Sequence, residues 1–82
     1  MAKLVKTDGT MYDTYPCETL EKLQKGVGGY IEPVYTDKWV AIVNEEGRLK
    51  DLPYNSTASS MLNQMIVGNA IIMTHEEWQS RD

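Results

Sequence analysis

Three acidic side chains are the first candidates for chemistry in this sequence of 82 residues. Glu32 precedes a proline, and Glu45 and Glu46 are neighbours before a glycine. Two converging carboxylates can act as general acid and base, and several converging oxygens bind a divalent cation. Because Glu45 and Glu46 are consecutive in a predicted turn, we expect them to be solvated, and Glu32 is the better site candidate. We predict no metal site and no cofactor.

A covalent mechanism needs a Ser, Thr or Cys beside a base, and His75 is the one histidine of the sequence. Cys17 lies close to a predicted helix start, where the helix dipole favours a thiolate. No sequence context joins Cys17 to His75, so we expect no catalytic pair. The single cysteine excludes an intrachain disulfide and a Cys-rich metal site. The chain is therefore predicted not to be an enzyme.

The segment Gly26-Val27-Gly28-Gly29 has the residue type that phosphate-binding loops use. In those loops the glycines follow a strand and open a helix, with a Lys and a Ser or Thr in one class. Here the glycines follow a predicted helix, and no Gly-Lys-Ser or Gly-Lys-Thr occurs. The segment therefore predicts a helix stop from which a strand begins at once.

The aromatic residues are five tyrosines and two tryptophans, with no phenylalanine. Tyrosine and tryptophan carry a polar group that must be wet or hydrogen-bonded, which favours interfaces and ligand pockets over a hidden core. Tyr30, Tyr35, Trp39 and Tyr54 could stack on a planar ligand such as a nucleobase, or pack against a second subunit. The alternative for each of them is a half-buried sheet position with a wet polar group.

Hydrophobic alternation and turn residues predict the strands that position these side chains. The predicted strands cover residues 2–7, 10–15, 30–35, 39–44 and 70–74. Asp8-Gly9 forms the hairpin turn between the first two strands, and Pro33 must lie at a sheet edge or a bulge because it has no N–H group. Residues 48–53 alternate weakly and are predicted as a short strand or an ordered loop.

Two short amphipathic helices are predicted from apolar residues at helical spacing. The first covers residues 18–25. The second covers residues 57–65 and presents an apolar face of Ala58, Met61, Leu62 and Met65. Asn55 or Ser56 caps this second helix, which is also the expected role of the glycosylation-type pattern Asn55-Ser56-Thr57. The tail at 75–82 is predicted to be a short helix or a frayed end.

These elements predict one α+β domain over residues 1–82, with a small antiparallel or mixed sheet of four to five strands and two short helices. The net charge of -4 disfavours duplex nucleic acid as a partner, although a small anion held by local groups is compatible with it. No apolar run reaches the roughly 20 residues of a membrane span, and we expect no signal peptide. We expect a cytoplasmic protein, and a homo-oligomer because so short a chain has modest stability.

The order of several motifs resembles a family of small phage-borne and prokaryotic proteins catalogued as a domain of unknown function. The motifs are Leu20-x-x-Leu23-Gln24, Val27-Gly28-Gly29-Tyr30-Ile31-Glu32, Asn44-Glu45-Glu46-Gly47, Leu52-Pro53-x-Asn55 and Gly68-Asn69-Ala70. The resemblance spans residues 20–73 and implies a phage or mobile-element origin and a location in the host cytoplasm. By analogy, it implies a role in modulating the host, either by blocking a host protein or by sequestering a nucleotide signal used in defence.

Our leading hypothesis is a non-enzymatic phage accessory protein that binds a small, nucleotide-derived ligand in a pocket at a subunit interface. Polar and glycine positions of the motifs cluster in predicted loops, where binding residues concentrate. Tyr30 would stack, Arg48 would meet an anion, and the remaining side chains would read polar edges of the ligand. The expected ligand-binding residues are Tyr30, Glu32, Asn44, Arg48, Asn55 and Asn69. The alternative is a protein-interaction module that modulates a host protein through an acidic surface or an exposed strand edge.

Overall fold

A computed structural model describes residues 2–80 of the chain. Its elements are β1 (Ala2–Val5), β2 (Met11–Tyr15), α1 (Leu20–Val27), β3 (Ile31–Tyr35), β4 (Trp39–Asn44), α2 (Ser56–Leu62), β5 (Ala70–Thr74) and α3 (His75–Gln79). The five strands form one sheet in the order β2-β1-β5-β4-β3, and every neighbouring pair is antiparallel. The predicted α+β class is confirmed, with a third short helix in addition to the two predicted ones.

Helices cover both faces of the sheet and divide the core into two layers. On one face, α1 contributes Leu23 and Val27 to a buried cluster with Ala2, Leu4, Cys17, Val40, Ile42, Ile71 and Met73. On the other face, α2 contributes Ala58 and Leu62 to a cluster with Val5, Ala41, Val43, Ile66, Ala70 and Ile72. Successive residues of β4 and β5 therefore enter different layers. This two-sided burial explains why both strands are apolar without alternation.

Local caps set the ends of the two longer helices. Thr19 precedes α1 and its side chain accepts a hydrogen bond from the Lys22 N–H at 3.2 Å, while Gly28 ends the helix with a left-handed φ of 80°. The predicted helix stop is confirmed at Gly28, whereas the predicted bounds 18–25 are wrong, because Gly26 and Val27 still belong to the helix. Asn55 caps the start of α2. The last helical residue is Leu62, and Asn63 caps the end of the helix with a left-handed φ of 54°.

α2 ends three residues before the predicted end at residue 65, and its apolar face is smaller than predicted. Ala58 and Leu62 are buried as predicted, but Met61 and Met65 are exposed. Met65 lies beyond the last helical residue, so the helical spacing that would turn it towards the core no longer applies. The prediction that both methionines face the core is wrong.

Both outer strands have features that hinder further strand pairing. β3 is an edge strand in which Pro33 pairs regularly with Ile42, so the predicted edge position is confirmed and no bulge is needed. The Glu45 N–H donates to the Tyr30 carbonyl, so the even-numbered residues on the β3 side form the hydrogen bonds to β4. The odd-numbered Pro33 therefore turns its nitrogen towards the open edge of the sheet. At the other edge, the pairing of β1 with β2 is interrupted by a shift in register.

The chain between β4 and α2 is a series of turns, so the loop alternative for residues 48–53 is confirmed. The tail forms a helix from His75 to Gln79, which begins with a capping box between Thr74 and Glu77. The predicted tail continues to residue 82, whose last two positions lie outside the described residues. No helix within residues 2–80 is long and apolar enough to cross a membrane.

Candidate functional site

A groove of about 350 Å³ lies on the α2 side of the sheet, beside the edge formed by β3 and β4. Its volume falls within the range of roughly 300 to 1,000 Å³ that small-molecule sites occupy. The groove is lined by Glu32, Val34, Val43, Asn44, Glu45, Gly47, Arg48, Leu49, Gln64, Met65, Ile66 and Val67. Three parts of the chain therefore build it: the β3–β4 pair, the turn after β4, and the segment after α2.

Strand pairing determines which side chains form the floor of the groove. Glu32 lies opposite Val43, and Val34 lies opposite Ala41. Opposite residues of an antiparallel pair share one face of the sheet, and Val43 and Ala41 belong to the α2-side cluster. Val34 and Val43 thus form an apolar floor, and the exposed Glu32 side chain lies on the same face near the start of β3.

Asn44 fixes the turn that forms the end wall of the groove. Its side-chain Oδ1 accepts a hydrogen bond from the Glu46 N–H at 2.8 Å, and its Nδ2 donates to the Val27 carbonyl at 3.2 Å. The Gly47 N–H donates to the Asn44 carbonyl at 3.1 Å. A Cβ atom at Gly47 would meet the Val67 side chain at 3.0 Å, so the turn packs closely against the segment after α2.

The charged groups of the groove are of both signs and come from different elements. Glu32 belongs to β3, whereas Glu45 and Arg48 belong to the turn, and all three are exposed. Among residues 2–80, the salt bridges are Lys22–Glu18 and Lys50–Glu46, and Arg48 takes part in neither. The guanidinium and the two carboxylates are therefore available to a ligand.

Two of the predicted asparagines, Asn55 and Asn69, join distant segments of the backbone by hydrogen bonds. Asn55 is completely buried, and its amide is engaged by three hydrogen bonds, two given to the carbonyls of Val5 and Gly68 and one accepted from the Ala58 N–H. Asn69 accepts from the Thr7 N–H at 3.2 Å and donates to the Gly26 carbonyl at 3.3 Å. A buried amide with these partners has no surface from which to contact a ligand. We therefore assign Asn55 a structural role, which includes the predicted cap of α2.

The six predicted residues thus fall into separate places. Glu32, Asn44 and Arg48 line the groove. Tyr30 lines a neighbouring pocket, and Asn55 and Asn69 hold distant segments together. Of the Gly-Gly-Tyr-Ile-Glu and Asn-Glu-Glu-Gly motifs that contain these residues, Glu32 and the turn residues Asn44, Glu45 and Gly47 line the groove, whereas Gly29, Tyr30 and Glu46 line the neighbouring pocket.

Sequence reasoning missed the apolar side chains at the rim of the groove. Leu49 is 86% exposed and Met65 is 67% exposed. Leu49 stands alone between two cations, so no apolar periodicity marks it. Met65 fits the spacing of a longer helix, which assigned it to the core. Both side chains nevertheless line the groove.

The residues considered for covalent chemistry are apart and otherwise engaged. The His75 Nε2 lies 2.7 Å from the Thr36 carbonyl oxygen, and the His75 ring stacks against Tyr35 with centroids 6.3 Å apart. Cys17 is buried in the core layer beneath α1. Burial raises the pKa of the Cys17 thiol, and the nearby Glu18 carboxylate raises the pKa further. The expectation of a dipole-favoured thiolate is wrong, because desolvation of the charged form dominates.

The three acidic candidates do not all lie in one site, because Glu32 and Glu45 line the groove and Glu46 does not. Glu45 lines the groove, whereas Glu46 lines the neighbouring pocket and pairs with Lys50 at 3.6 Å. Within the described part of the chain, no group of three His, Cys, Asp or Glu side chains is arranged to hold a metal ion.

We expect Cys17 to resist alkylation in the folded protein. Its thiol is buried and its pKa is raised, so at neutral pH little thiolate is present and the reagent has little access to it. Iodoacetamide labelling followed by mass spectrometry should be at least about tenfold slower in buffer than in urea, because labelling then requires opening of the fold. Equal rates in the two conditions would contradict this burial.

Comparison with known proteins gives one family. The model of a family described as a domain of unknown function (DUF3846) matches residues 3–81. The resemblance to a domain of unknown function is thereby confirmed. No match was found among curated proteins or among solved structures.

Proposed function

We infer that this chain, which belongs to the family described as a domain of unknown function (DUF3846), is a non-enzymatic module that binds a small, nucleotide-derived ligand. One observation carries the proposal: Glu32 and Arg48, from a strand and a turn, line the same groove, whose lining also includes apolar side chains such as Val34, Val43 and Met65. Ligand sites commonly combine an apolar lining with a few polar groups that fix orientation. The role in sequestering a host defence signal, implied by the sequence resemblance, stays a prediction.

The groove provides a partner for each part of a nucleotide. Val34 and Val43 form an apolar floor, and Met65 supplies a flexible apolar side chain at the rim that can lie against a base. The Arg48 guanidinium offers paired donors to a phosphate, a match in geometry that lysine does not provide. The Glu32 carboxylate accepts hydrogen bonds from the amino and imino groups of a base edge.

The balance of charge among the lining residues disfavours a ligand with several negative charges. The groove has two carboxylates, Glu32 and Glu45, against the single cation Arg48. A triphosphate would place several charges near those carboxylates, and like charges repel over such short distances. A phosphodiester, such as a cyclic mononucleotide, meets Arg48 with one charge and leaves Glu32 for the base.

Replacing Arg48 by alanine is expected to weaken nucleotide binding about tenfold, because the exposed guanidinium makes a charge-assisted hydrogen bond worth roughly 1.5 kcal/mol. Isothermal titration calorimetry against cyclic and linear nucleotides measures the affinity. The thermal shift at a fixed ligand concentration should fall in parallel, since stabilisation depends on ligand concentration relative to Kd. Fold stability without ligand should change little, because Arg48 is exposed.

The matched control is Lys25→Ala, which removes the same charge from an exposed position on α1. Its nucleotide affinity should stay within about twofold of the wild type, since charges separated by more than a Debye length of roughly 8 Å are screened. An equal loss in both variants would show that Arg48 acts only through net charge. If no cyclic or linear nucleotide stabilises the folded protein, the proposal fails.

A second candidate function, docking of a protein partner, is favoured by the exposed rim of Leu49 and Met65. Strand addition is disfavoured because Pro33 lacks an N–H on the edge strand β3, and because a register shift in its pairing with β1 makes the edge strand β2 irregular. A protein partner would therefore use the α2 side. Leu49→Ser together with Met65→Ser should abolish such a complex, and Leu20→Ser should preserve it, because Leu20 is also exposed but lies on α1.

A further inference from the structure

A second, smaller pocket lies next to the groove, at the junction of α1 and β3. It has a volume of about 210 Å³ and is lined by Gln24, Gly29, Tyr30, Glu46 and Lys50. This volume is below the roughly 300 Å³ of whole small-molecule sites, so the pocket suits one part of a ligand. Tyr30 is its aromatic wall, and 66% of that residue is exposed.

Gly29, which lines this pocket, has no room for a side chain. A Cβ atom at Gly29 would lie 2.9 Å from the Asn44 Nδ2 and 3.5 Å from the Lys50 Nζ. The Asn44 amide cannot easily move away, since its Nδ2 donates to the Val27 carbonyl and its Oδ1 accepts from the Glu46 N–H. A side chain at residue 29 would therefore collide with the Asn44 amide and crowd the Lys50 ammonium that lines the pocket.

The backbone holds Tyr30 in place although its ring is exposed. The Tyr30 carbonyl accepts a hydrogen bond from the Glu45 N–H at 2.8 Å, which extends the β3–β4 ladder by one pair. The preceding Gly29 N–H donates to the Gln24 carbonyl at 3.1 Å. A ring presented on such a fixed backbone is a suitable stacking platform, because little conformational entropy is lost when a base covers it.

Donors and acceptors surround the platform. Lys50 offers an ammonium group, and its partner in the chain is Glu46, four residues earlier, at 3.6 Å with both side chains nearly half exposed. An exposed pair of this kind contributes little, so the ammonium can turn to a ligand at small cost. Gln24 adds an amide, and Glu46 adds an acceptor. Together these groups match the edge of a nucleobase.

One turn separates the groove from this pocket. Glu45, Gly47, Arg48 and Leu49 of the turn line the groove, while Glu46 and Lys50 of the same turn line the pocket. We propose that the Tyr30 pocket is a second base-binding subsite, so that the ligand of this protein carries two nucleobases. The inference rests on the proposed function, since the first base and the phosphate occupy the groove.

The test compares two ligands that have the same charge and differ by one nucleoside. The probes are 3′,5′-cyclic AMP and the dinucleoside monophosphate ApA, with their guanine counterparts. Stacking of one base contributes enough for the dinucleotide to bind about 5- to 150-fold more tightly than the cyclic mononucleotide. Tyr30→Ala should remove this advantage and lower the affinity for the dinucleotide to about that of the wild-type protein for the cyclic mononucleotide. Tyr30→Phe should keep the advantage, because the ring and not the hydroxyl provides the stacking.

Tyr12→Ala is the matched control, since Tyr12 is 50% exposed and lies on β2. It should leave the affinity for the dinucleotide unchanged. In ¹H–¹⁵N spectra, the dinucleotide should shift the amides of Gly29 and Lys50, which the cyclic mononucleotide should not. The inference is overturned if Tyr30→Ala retains the full affinity for the dinucleotide or if both probes bind equally. Binding of cyclic mononucleotide that depends on Arg48 would then still support the groove, whereas no binding of either probe overturns both proposals.

Discussion

Replacing Asn55 by alanine is expected to lower the free energy of unfolding by about 3 kcal/mol, which combines the loss of a helix cap with the loss of buried hydrogen bonds. The Asn55 Nδ2 donates to the carbonyls of Val5 and Gly68, both at 2.9 Å. Its Oδ1 accepts from the Ala58 N–H at 2.9 Å. In the variant these three backbone groups keep their burial and lose their partner.

Urea denaturation followed by circular dichroism measures this loss. Asn55→Ser should retain part of the stability, because serine also caps helices but cannot donate to both carbonyls. Ser56→Ala, at the next and exposed position, should change stability by less than about 0.5 kcal/mol. If Asn55→Ala left stability unchanged and abolished ligand binding instead, the original assignment of Asn55 to the ligand would be restored.

The strands were predictable because local chemistry encodes them. At the first hairpin, Gly9 has a φ of 91°, and the Asp8 side chain accepts a hydrogen bond from the Thr10 N–H at 2.9 Å. The Asp-Gly pair therefore predicts the turn locally, and the bond from the Thr7 N–H to the distant Asn69 side chain adds to it. The edge position of Pro33 follows in the same way from its missing N–H group.

The order of the strands and the roles of the asparagines could not be predicted from local signals. β5 lies between β1 and β4, which are distant from each other in the sequence. Asn55 bonds to a residue 50 positions away, and the bond between Thr7 and Asn69 spans 62 positions. A single sequence shows that an asparagine is polar but does not show whether a distant backbone group will bury and engage its amide.

Some of the residues that line the groove were predictable from the sequence, but the complete set was not. Glu32 and Arg48 were identified because charged residues beside strand ends and turns tend to line sites, and both line the groove. Tyr30 was assigned to the same site, but it lines a different pocket across the turn. Which side of a turn each residue faces depends on the packing of that turn, here on the hydrogen bonds of Asn44, and no periodicity describes it.

Gly26→Ala is expected to have the second large effect on stability, because Gly26 of α1 packs against the central strand β5. Gly26 is buried within α1, and a Cβ atom there would lie 2.8 Å from the Ile71 Cδ1 and 3.0 Å from the Tyr15 Oη. The Tyr15 hydroxyl donates to the Lys22 carbonyl at 2.8 Å, so moving it also disturbs a hydrogen bond. Overpacking costs roughly 1 to 3 kcal/mol, and the disturbed hydrogen bond adds to this cost. Alanine in place of glycine gains only roughly 1 kcal/mol in a helix, so we expect the free energy of unfolding to fall by about 2 kcal/mol.

A double-mutant cycle tests the cause of this loss. Ile71→Val removes the Cδ1 atom that a Cβ at Gly26 would meet, and alone it should cost about 1 kcal/mol. If steric contact is the cause, the double variant should lose about 2 kcal/mol rather than the roughly 3 kcal/mol of the two single variants added together. Thermal and urea unfolding of the four proteins give the coupling free energy. Strict additivity would instead assign the loss at Gly26 to Tyr15 and its hydrogen bond.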